Sequence, residues 1–152
     1  MIRIVFLLCS AILILSCNNS TDSHGNSTAK TPADTLLDVV MDGHDVGMAK
    51  MGKLMRAQKE VSRLIDSIQK LPAKARDAAS PYKVYLDSLL VDLNHADFLM
   101  NKWMEEFEMD SAVNNVEKRI QYLNSEKLKV TEMKAAILGS LQKADSLLKK
   151  KI

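Results

Sequence analysis

The stretch from Leu36 to Ile68, LLDVVMDGHDVGMAKMGKLMRAQKEVSRLIDSI, decides the fold of this 152-residue chain. Its apolar residues recur every three or four positions, so they form a stripe along one face of a helix, at the spacing of coiled-coil-like packing. Asp34 or Thr35 is available as the N-cap, and Leu71-Pro72 ends the helix because the residue before a proline resists the helical region. We therefore predict a first helix over about residues 35–70. The stripe consists of Leu37, Val40 or Met41, His44, Met48, Met51, Met55, Gln58, Val61, Ile65 and Ile68.

Two further stripes of the same period follow. Ser80-Pro81 combines a good N-cap with a proline suited to the first helical turn, which predicts a second helix over 82–107. Asp110 or Ser111 can cap a third helix over 112–149. No segment shows strand alternation, and both joints are short, which makes neighbouring helices antiparallel.

The predicted fold is therefore all-α. We expect an elongated up-down-up three-helix antiparallel bundle with coiled-coil-like packing over residues 34–152. Gln58 and Lys127 interrupt their apolar stripes, so we expect the core to be thin in the middle.

The first sixteen residues predict an export signal. Arg3 is the one charge before Asp22, and it precedes a twelve-residue apolar run from Ile4 to Leu15. A helix that crosses a bilayer needs about 20 residues, so this run is too short to span. We therefore predict a signal peptide over residues 1–16.

The end of that run is similar to a motif of bacterial lipoproteins. Ile14-Leu15-Ser16-Cys17 resembles the lipoprotein box, which implies cleavage before Cys17 and acylation of that residue. The polar stretch that follows cannot bury enough apolar area to fold, so we interpret residues 17–33 as the acylated cysteine with a flexible tether. The expected location is the cell envelope, with the outer membrane favoured over the inner and the folded domain in the periplasm or at the cell surface.

Composition and motifs exclude several classes of function. The formal net charge is +2, from 21 Lys and Arg against 19 Asp and Glu, which is too balanced for an electrostatic nucleic-acid binder. The sequence contains no GxSxG, GxxxxGK[ST], GxGxxG or HExxH motif. His95 lies beside Asp97 but has no positioned nucleophile. We expect no enzymatic activity.

Methionines gather in two windows of the sequence. An antiparallel hairpin would bring the windows to the same end of the bundle, where His44, Met48, Met51, Met100 and Met104 could share a pocket with Trp103 adjacent. Thioether and imidazole are ligands that Cu(I) prefers. The residue types resemble those of periplasmic copper carriers, which have a different fold. Methionine is also a good filler of irregular cores, and we favour that interpretation over the metal site.

Separated blocks of the chain resemble one group of bacterial proteins. The blocks are Met41–Leu54 (MDGHDVGMAKMGKL), Ala96–Glu105 around Trp103-Met104, and Tyr122–Lys127 (YLNSEK). They are similar to small helical lipoproteins of the Bacteroidota, often labelled "viral A-type inclusion protein". The resemblance implies an envelope location and a helical fold, and it supplies no catalytic residues.

These observations lead to one expected function and one alternative. We expect a lipid-anchored cell-envelope protein with a non-catalytic structural or protein-interaction role and no cofactor. Its expected partners are the membrane, through acylated Cys17, and an envelope protein that the sequence does not identify; self-association into a homo-oligomer stays open. The alternative is a periplasmic protein that binds Cu(I) or Ag(I) through the Met/His cluster.

Overall fold

The computed structural model describes residues 30–149 and contains three helices packed as a bundle. Each helix contacts both of the others, which confirms the predicted all-α three-helix fold. The predicted signal peptide, Cys17 and most of the predicted tether lie outside the described residues. In chain order the helices are α1 (Pro32–Gln69), α2 (Ala73–Glu106) and α3 (Val116–Lys149).

Helix α1 begins three residues earlier than predicted. Its N-cap is Thr31, whose hydroxyl accepts a hydrogen bond from the Asp34 backbone N–H, while the Asp34 carboxylate accepts from the Thr31 N–H. Pro32 occupies the first turn, where its missing N–H costs nothing. The prediction that Asp34 or Thr35 is the cap is therefore wrong, because Asp34 is the third residue of a reciprocal capping box.

Helix α2 begins at Ala73, so the predicted start at residue 82 is wrong by nine residues. Pro81 lies inside the helix, where it has no N–H to donate to the carbonyl oxygen of Asp77. The preceding stretch AKARDAAS contains four alanines, the strongest helix formers, which favours helix on the N-terminal side of the proline. Residues 69–78 are all exposed, so this end of the hairpin has little tertiary contact.

Helix α3 begins at Val116, four residues later than predicted. Asn115 precedes it, and its side-chain oxygen accepts a hydrogen bond from the Lys118 N–H, 3.0 Å away, as an N-cap does. The prediction that Asp110 or Ser111 caps this helix is therefore wrong. Ala112 lies between Ser111 and the start of α3 and has a φ of 57°, a left-handed conformation that interrupts helical geometry in the joint.

Contacts between the helices define their directions. The side chains of Gln58 and Asn94 hydrogen bond at 3.0 Å between α1 and α2, and a Cβ on Gly47 would touch Met100, so numbering rises along α1 as it falls along α2. Between α1 and α3, a Cβ on Gly43 would touch Val130 and Lys53 contacts Asp145 at 2.7 Å, so numbering rises along both helices and α3 runs in the same direction as α1. This is the predicted up-down-up order. Within residues 30–149, no helix has an apolar stretch long enough to cross a membrane.

The core forms one continuous cluster along the bundle. Gln58 lies at its edge, where the amide is partly buried and bonded to α2. Lys127, in contrast, is exposed, and the charged residue that faces the interior is Glu126, with 2% of its surface exposed. The prediction that Lys127 interrupts the core is therefore wrong, because the side chain one position earlier occupies that place.

Candidate functional site

Four aromatic rings stack at the end of the bundle where α1 begins. The ring centroids of His44 and Trp103 are 5.0 Å apart, those of Trp103 and Phe107 4.5 Å, and those of Phe107 and Tyr122 6.1 Å. These distances are within the range of favourable aromatic pairs. His44 lies on α1, Trp103 and Phe107 at the end of α2, and Tyr122 on α3, so the rings connect all three helices. We call these four residues the aromatic stack.

Two polar atoms beside this stack are buried without a partner. Trp103 is 5% exposed, and its Nε1 has no hydrogen-bond acceptor among residues 30–149; the Oε2 of Glu126 likewise has no donor there. A buried polar group without a partner costs about 1–3 kcal/mol. One atom is a donor and the other an acceptor, and no contact among residues 30–149 uses either of them.

The second carboxylate oxygen of Glu126 is paired. Lys129 Nζ donates a hydrogen bond to Glu126 Oε1 at 2.9 Å, and this bond raises the pKa of Lys129. The lysine is half exposed, whereas the glutamate side chain is buried. The ion pair therefore lets a charged group lie against the core while its counter-charge remains in contact with solvent.

The joint between α2 and α3 is fixed by side chains of α3. The Glu108 backbone N–H donates to the Tyr122 hydroxyl oxygen at 2.7 Å. Arg119, which is 8% exposed, donates to the carbonyl oxygen of Ser111 at 2.8 Å, and its guanidinium lies 6.0 Å from the centroid of the Tyr122 ring. Side chains of α3 thus form hydrogen bonds with backbone groups of the joint that would otherwise bond to water.

Tyr122 predicts a pH dependence of stability. Burial raises the pKa of Tyr122 above its ordinary value of 10.0. The folded state therefore keeps the phenol proton at pH values where the unfolded chain has lost it. The contribution of Tyr122 to the free energy of unfolding is complete below pH 10 and falls as the pH rises further. We expect Tyr122→Phe to flatten the fall in stability above about pH 10 in denaturant titrations by circular dichroism.

Tyr85→Phe is the matched control for this experiment. Tyr85 is 65% exposed on α2, so its removal is expected to leave the slope of stability against pH unchanged. Equal slopes of stability against pH for the native chain and the Tyr122→Phe variant would contradict the inference that Tyr122 causes part of the fall in stability above about pH 10.

The residues of the predicted soft-metal cluster occupy different environments. His44 contacts Trp103 and is 17% exposed at its side chain, with Nδ1 2.9 Å from Asp45 Oδ1. Met100 is fully buried, and its methyl group lies 2.8 Å from the position that a Cβ on Gly47 would take. The structure thus brings together the predicted imidazole and indole, and it places Met100 in the adjacent core.

The other predicted ligands lie farther out. Met48 is 41% exposed and Met104 43% exposed, whereas Met51 is partly buried against the core. Met133, which the metal hypothesis did not include, is buried and has its methyl group near Gly47 together with Met100. Within the described part of the chain, no three His, Cys, Asp or Glu side chains group as a metal site would require.

Several open grooves lie on the surface of the described bundle. A groove of about 760 Å³ runs between α2 and α3 and is lined by Tyr85, Ser88, Asp92, Gln142 and Lys143, among others. A smaller one of about 160 Å³ lies beside Trp103 and Lys129. The carboxylate of Asp92 is bonded to Lys143 at 2.7 Å across the larger groove, so its charge is already compensated.

Comparison of the chain with protein-family models, curated proteins and solved structures finds no match.

Proposed function

We propose that the chain is a lipid-anchored protein of the cell envelope, attached through Cys17, with a non-catalytic structural or protein-interaction role. The observation that carries this proposal is the sequence Ile14-Leu15-Ser16-Cys17 at the end of a twelve-residue apolar run. It is supported by the similarity to small Bacteroidota lipoproteins, which the sequence blocks around His44, Trp103 and Tyr122 suggest.

The anchor has a physical basis in the acyl chains. Each buried CH₂ contributes about 0.8 kcal/mol, and stable attachment needs more than one chain. Lipoprotein processing adds several chains to one cysteine, so Cys17 alone would be sufficient. A balanced net charge of +2 for the full chain gives little attraction to anionic lipid, which makes the lipid the main source of membrane affinity.

The folded part of the chain suits an interaction role. Its apolar interior is closed, and the polar residues of its larger groove are partly paired with one another. Large apolar side chains remain on the outer faces of the helices, among them Val91 at 66% and Leu128 at 73% exposure. Such residues are available to a partner, which is the property that a tethered binding or structural module needs.

Replacing Cys17 by alanine tests the anchor. We expect the Cys17→Ala variant to lose incorporation of a labelled fatty acid, because the residue that carries the acyl chains is gone. The readouts are metabolic labelling and cell fractionation of the full chain in a bacterial host.

Cys9→Ala is the matched control. Cys9 lies inside the apolar run and is expected to leave with the signal, so this variant should be labelled and fractionated like the native chain. Retention of the label by Cys17→Ala would refute the anchor.

A second candidate function is soft-metal binding at His44, Met48, Met51, Met100 and Met104. One observation favours it: His44 Nδ1 lies 2.9 Å from the Asp45 carboxylate. A carboxylate bonded to one imidazole nitrogen orients the ring and leaves the other nitrogen as a ligand, as in many metal sites. The thioether donors fit Cu(I) or Ag(I) by their softness.

Titration with Ag(I) or Cu(I) tests this candidate. Trp103 is the single tryptophan, and its ring is 5.0 Å from that of His44, so metal binding there should quench its fluorescence. At about 100 times the dissociation constant, binding should stabilise the fold by roughly 2.7 kcal/mol. His44→Ala should abolish both effects, and His95→Ala, an exposed histidine on α2, should preserve them. Unchanged fluorescence and Tm at excess metal would end the hypothesis.

A further inference from the structure

The charge on α1 changes sign in the first half of the helix. Residues 32–45 contain four aspartates and no lysine or arginine, whereas residues 46–59 contain four cations and no carboxylate. The helix macrodipole favours anions only in the first turn, so it does not explain a block of four cations farther along the helix. These exposed cations are Lys50, Lys53, Arg56 and Lys59. We call them the α1 cation row.

The cations of the row follow one another at every third residue. Side chains three residues apart are neighbours on a helix surface, with about 5–6 Å between their Cβ atoms. Each step also turns the row by roughly 60° around the helix axis, because three residues fall short of a full turn of 3.6. The row therefore winds from a groove beside α3, which Lys50 and Lys53 line, across the outer face of α1.

The fold pairs one member of the row. Lys53 contacts Asp145 at 2.7 Å. The other three cations take part in no salt bridge within residues 30–149. Like charges three residues apart destabilise a helix, so the row has a cost in stability that the ion pairs of the bundle offset at one position only.

The groove at the start of the row has the chemistry of a sugar site. It encloses about 380 Å³ between α1 and α3, which is within the range of small-molecule sites. Its lining includes three ammonium groups and one carboxylate, those of Lys50, Lys53, Lys149 and Asp145. Gln142 supplies an amide for hydroxyl groups, and Leu138, which is 40% exposed, supplies an apolar surface for the C–H face of a ring.

We infer that the α1 cation row and this groove bind an acidic polysaccharide, a linear sugar polymer with repeated acid groups. The cations of the row pair with successive acid groups of the polymer, and the groove holds one of its sugar rings. This inference names a partner for the interaction role proposed above. It rests on that role and not on the anchor at Cys17.

Two features favour a polysaccharide over a nucleic acid or a membrane surface. Residues 46–76 contain no aromatic residue, whereas proteins bind single-stranded nucleic acid by stacking its bases on aromatic side chains. The row also turns through roughly 180° between Lys50 and Lys59. A flat bilayer would contact only part of such a row, whereas a flexible polymer can follow all of it.

Fluorescence anisotropy of labelled alginate fragments tests the inference. Alginate is a linear polymer with one carboxylate on each sugar, and the full chain is added to it in a non-ionic detergent at about 0.15 M salt. We expect saturable binding, and a Kd at least about tenfold higher for the variant with both Lys50→Gln and Lys59→Gln. The slope of log Kd against log salt concentration should also fall by about one for each lysine removed.

The variant with both Lys118→Gln and Lys127→Gln is the matched control. Both lysines are exposed on α3, and their removal changes the net charge by the same amount. Charges farther apart than about 8 Å are largely screened at this salt concentration, so the Kd for alginate should stay within about twofold of the native value.

Three results would overturn the inference. One is the absence of saturable alginate binding, and another is an equal rise in Kd for the control variant. The third is stronger displacement of labelled alginate by oligothymidylate, or by mixed micelles with phosphatidylglycerol, than by unlabelled alginate at the same concentration of negative charge. This result would assign the row to a nucleic acid or a membrane. Fatty-acid labelling of Cys17 measures the anchor separately, so failure of one proposal is distinguishable from failure of the other.

Discussion

Replacing Trp103 by alanine is expected to lower the free energy of unfolding by about 3 kcal/mol. The side chain is 5% exposed and lies between two other members of the aromatic stack in the series of ring contacts. Truncation of a buried tryptophan costs about 3–5 kcal/mol. The lower end applies here because the change also removes an indole N–H that has no partner in the described structure.

Urea denaturation followed by circular dichroism measures this effect without relying on tryptophan fluorescence. Tyr85→Ala is a matched control on the same helix, since an aromatic residue that is 65% exposed should change stability by no more than about 0.5 kcal/mol. A loss below about 1 kcal/mol for Trp103→Ala would mean that the aromatic stack does not hold the helix ends together.

Gly43→Ala is expected to destabilise the bundle by about 1 kcal/mol or more. A Cβ at this position would lie 2.8 Å from Cγ1 of Val130, a short branched side chain that has little freedom to move away. Overpacking of this kind costs about 1–3 kcal/mol. That cost exceeds the gain of up to about 1 kcal/mol that alanine brings to a helix interior.

Gly139→Ala is the control, and its effect should have the opposite sign. A Cβ there meets nothing within 4 Å, so helix propensity acts alone and the free energy of unfolding should rise by up to about 1 kcal/mol. Gly47→Ala should fall between the two, because its nearest neighbour is the flexible end of Met100 at 2.8 Å. Thermal melts of the three variants give their order of stability. Shifts in Tm of the same sign for Gly43→Ala and Gly139→Ala would contradict the prediction.

The sequence predicted the helices better than their boundaries. Apolar stripes of helical period identified three helices and their order, because burial of one face is what selects these segments. The error at Pro81 arose because Ser-Pro suits a helix start as well as a helix interior whose preceding residues are alanine-rich. The four alanines before Pro81 favour the helix interior, and residues 69–78 are exposed, so local helix propensity accounts for the early start of α2 better than tertiary contact does. The cap of α3 likewise depends on the left-handed Ala112, which no pattern in the sequence signals.

The candidate site was predictable in part. Antiparallel pairing of two helices correctly placed His44 near Trp103, because register follows from the hairpin. The extension of the stack to Phe107 and Tyr122 depends on the path of the joint between α2 and α3, which periodicity does not define. Periodicity also fails at Glu126 and Lys127, since both lie three or four residues from the apolar residues on either side.

The exposed turn between α1 and α2 is a place where residues can be inserted with little cost in stability. Residues 69–78 contribute no buried side chain, and the closure of a longer loop costs only about 0.6 kcal/mol for each doubling of its length. A small fluorescent or epitope module inserted between Leu71 and Pro72 would therefore project from the end of the bundle opposite the aromatic stack. The position of the protein in living cells could be followed from that point while Cys17 and the outer face of α2 remain unaltered.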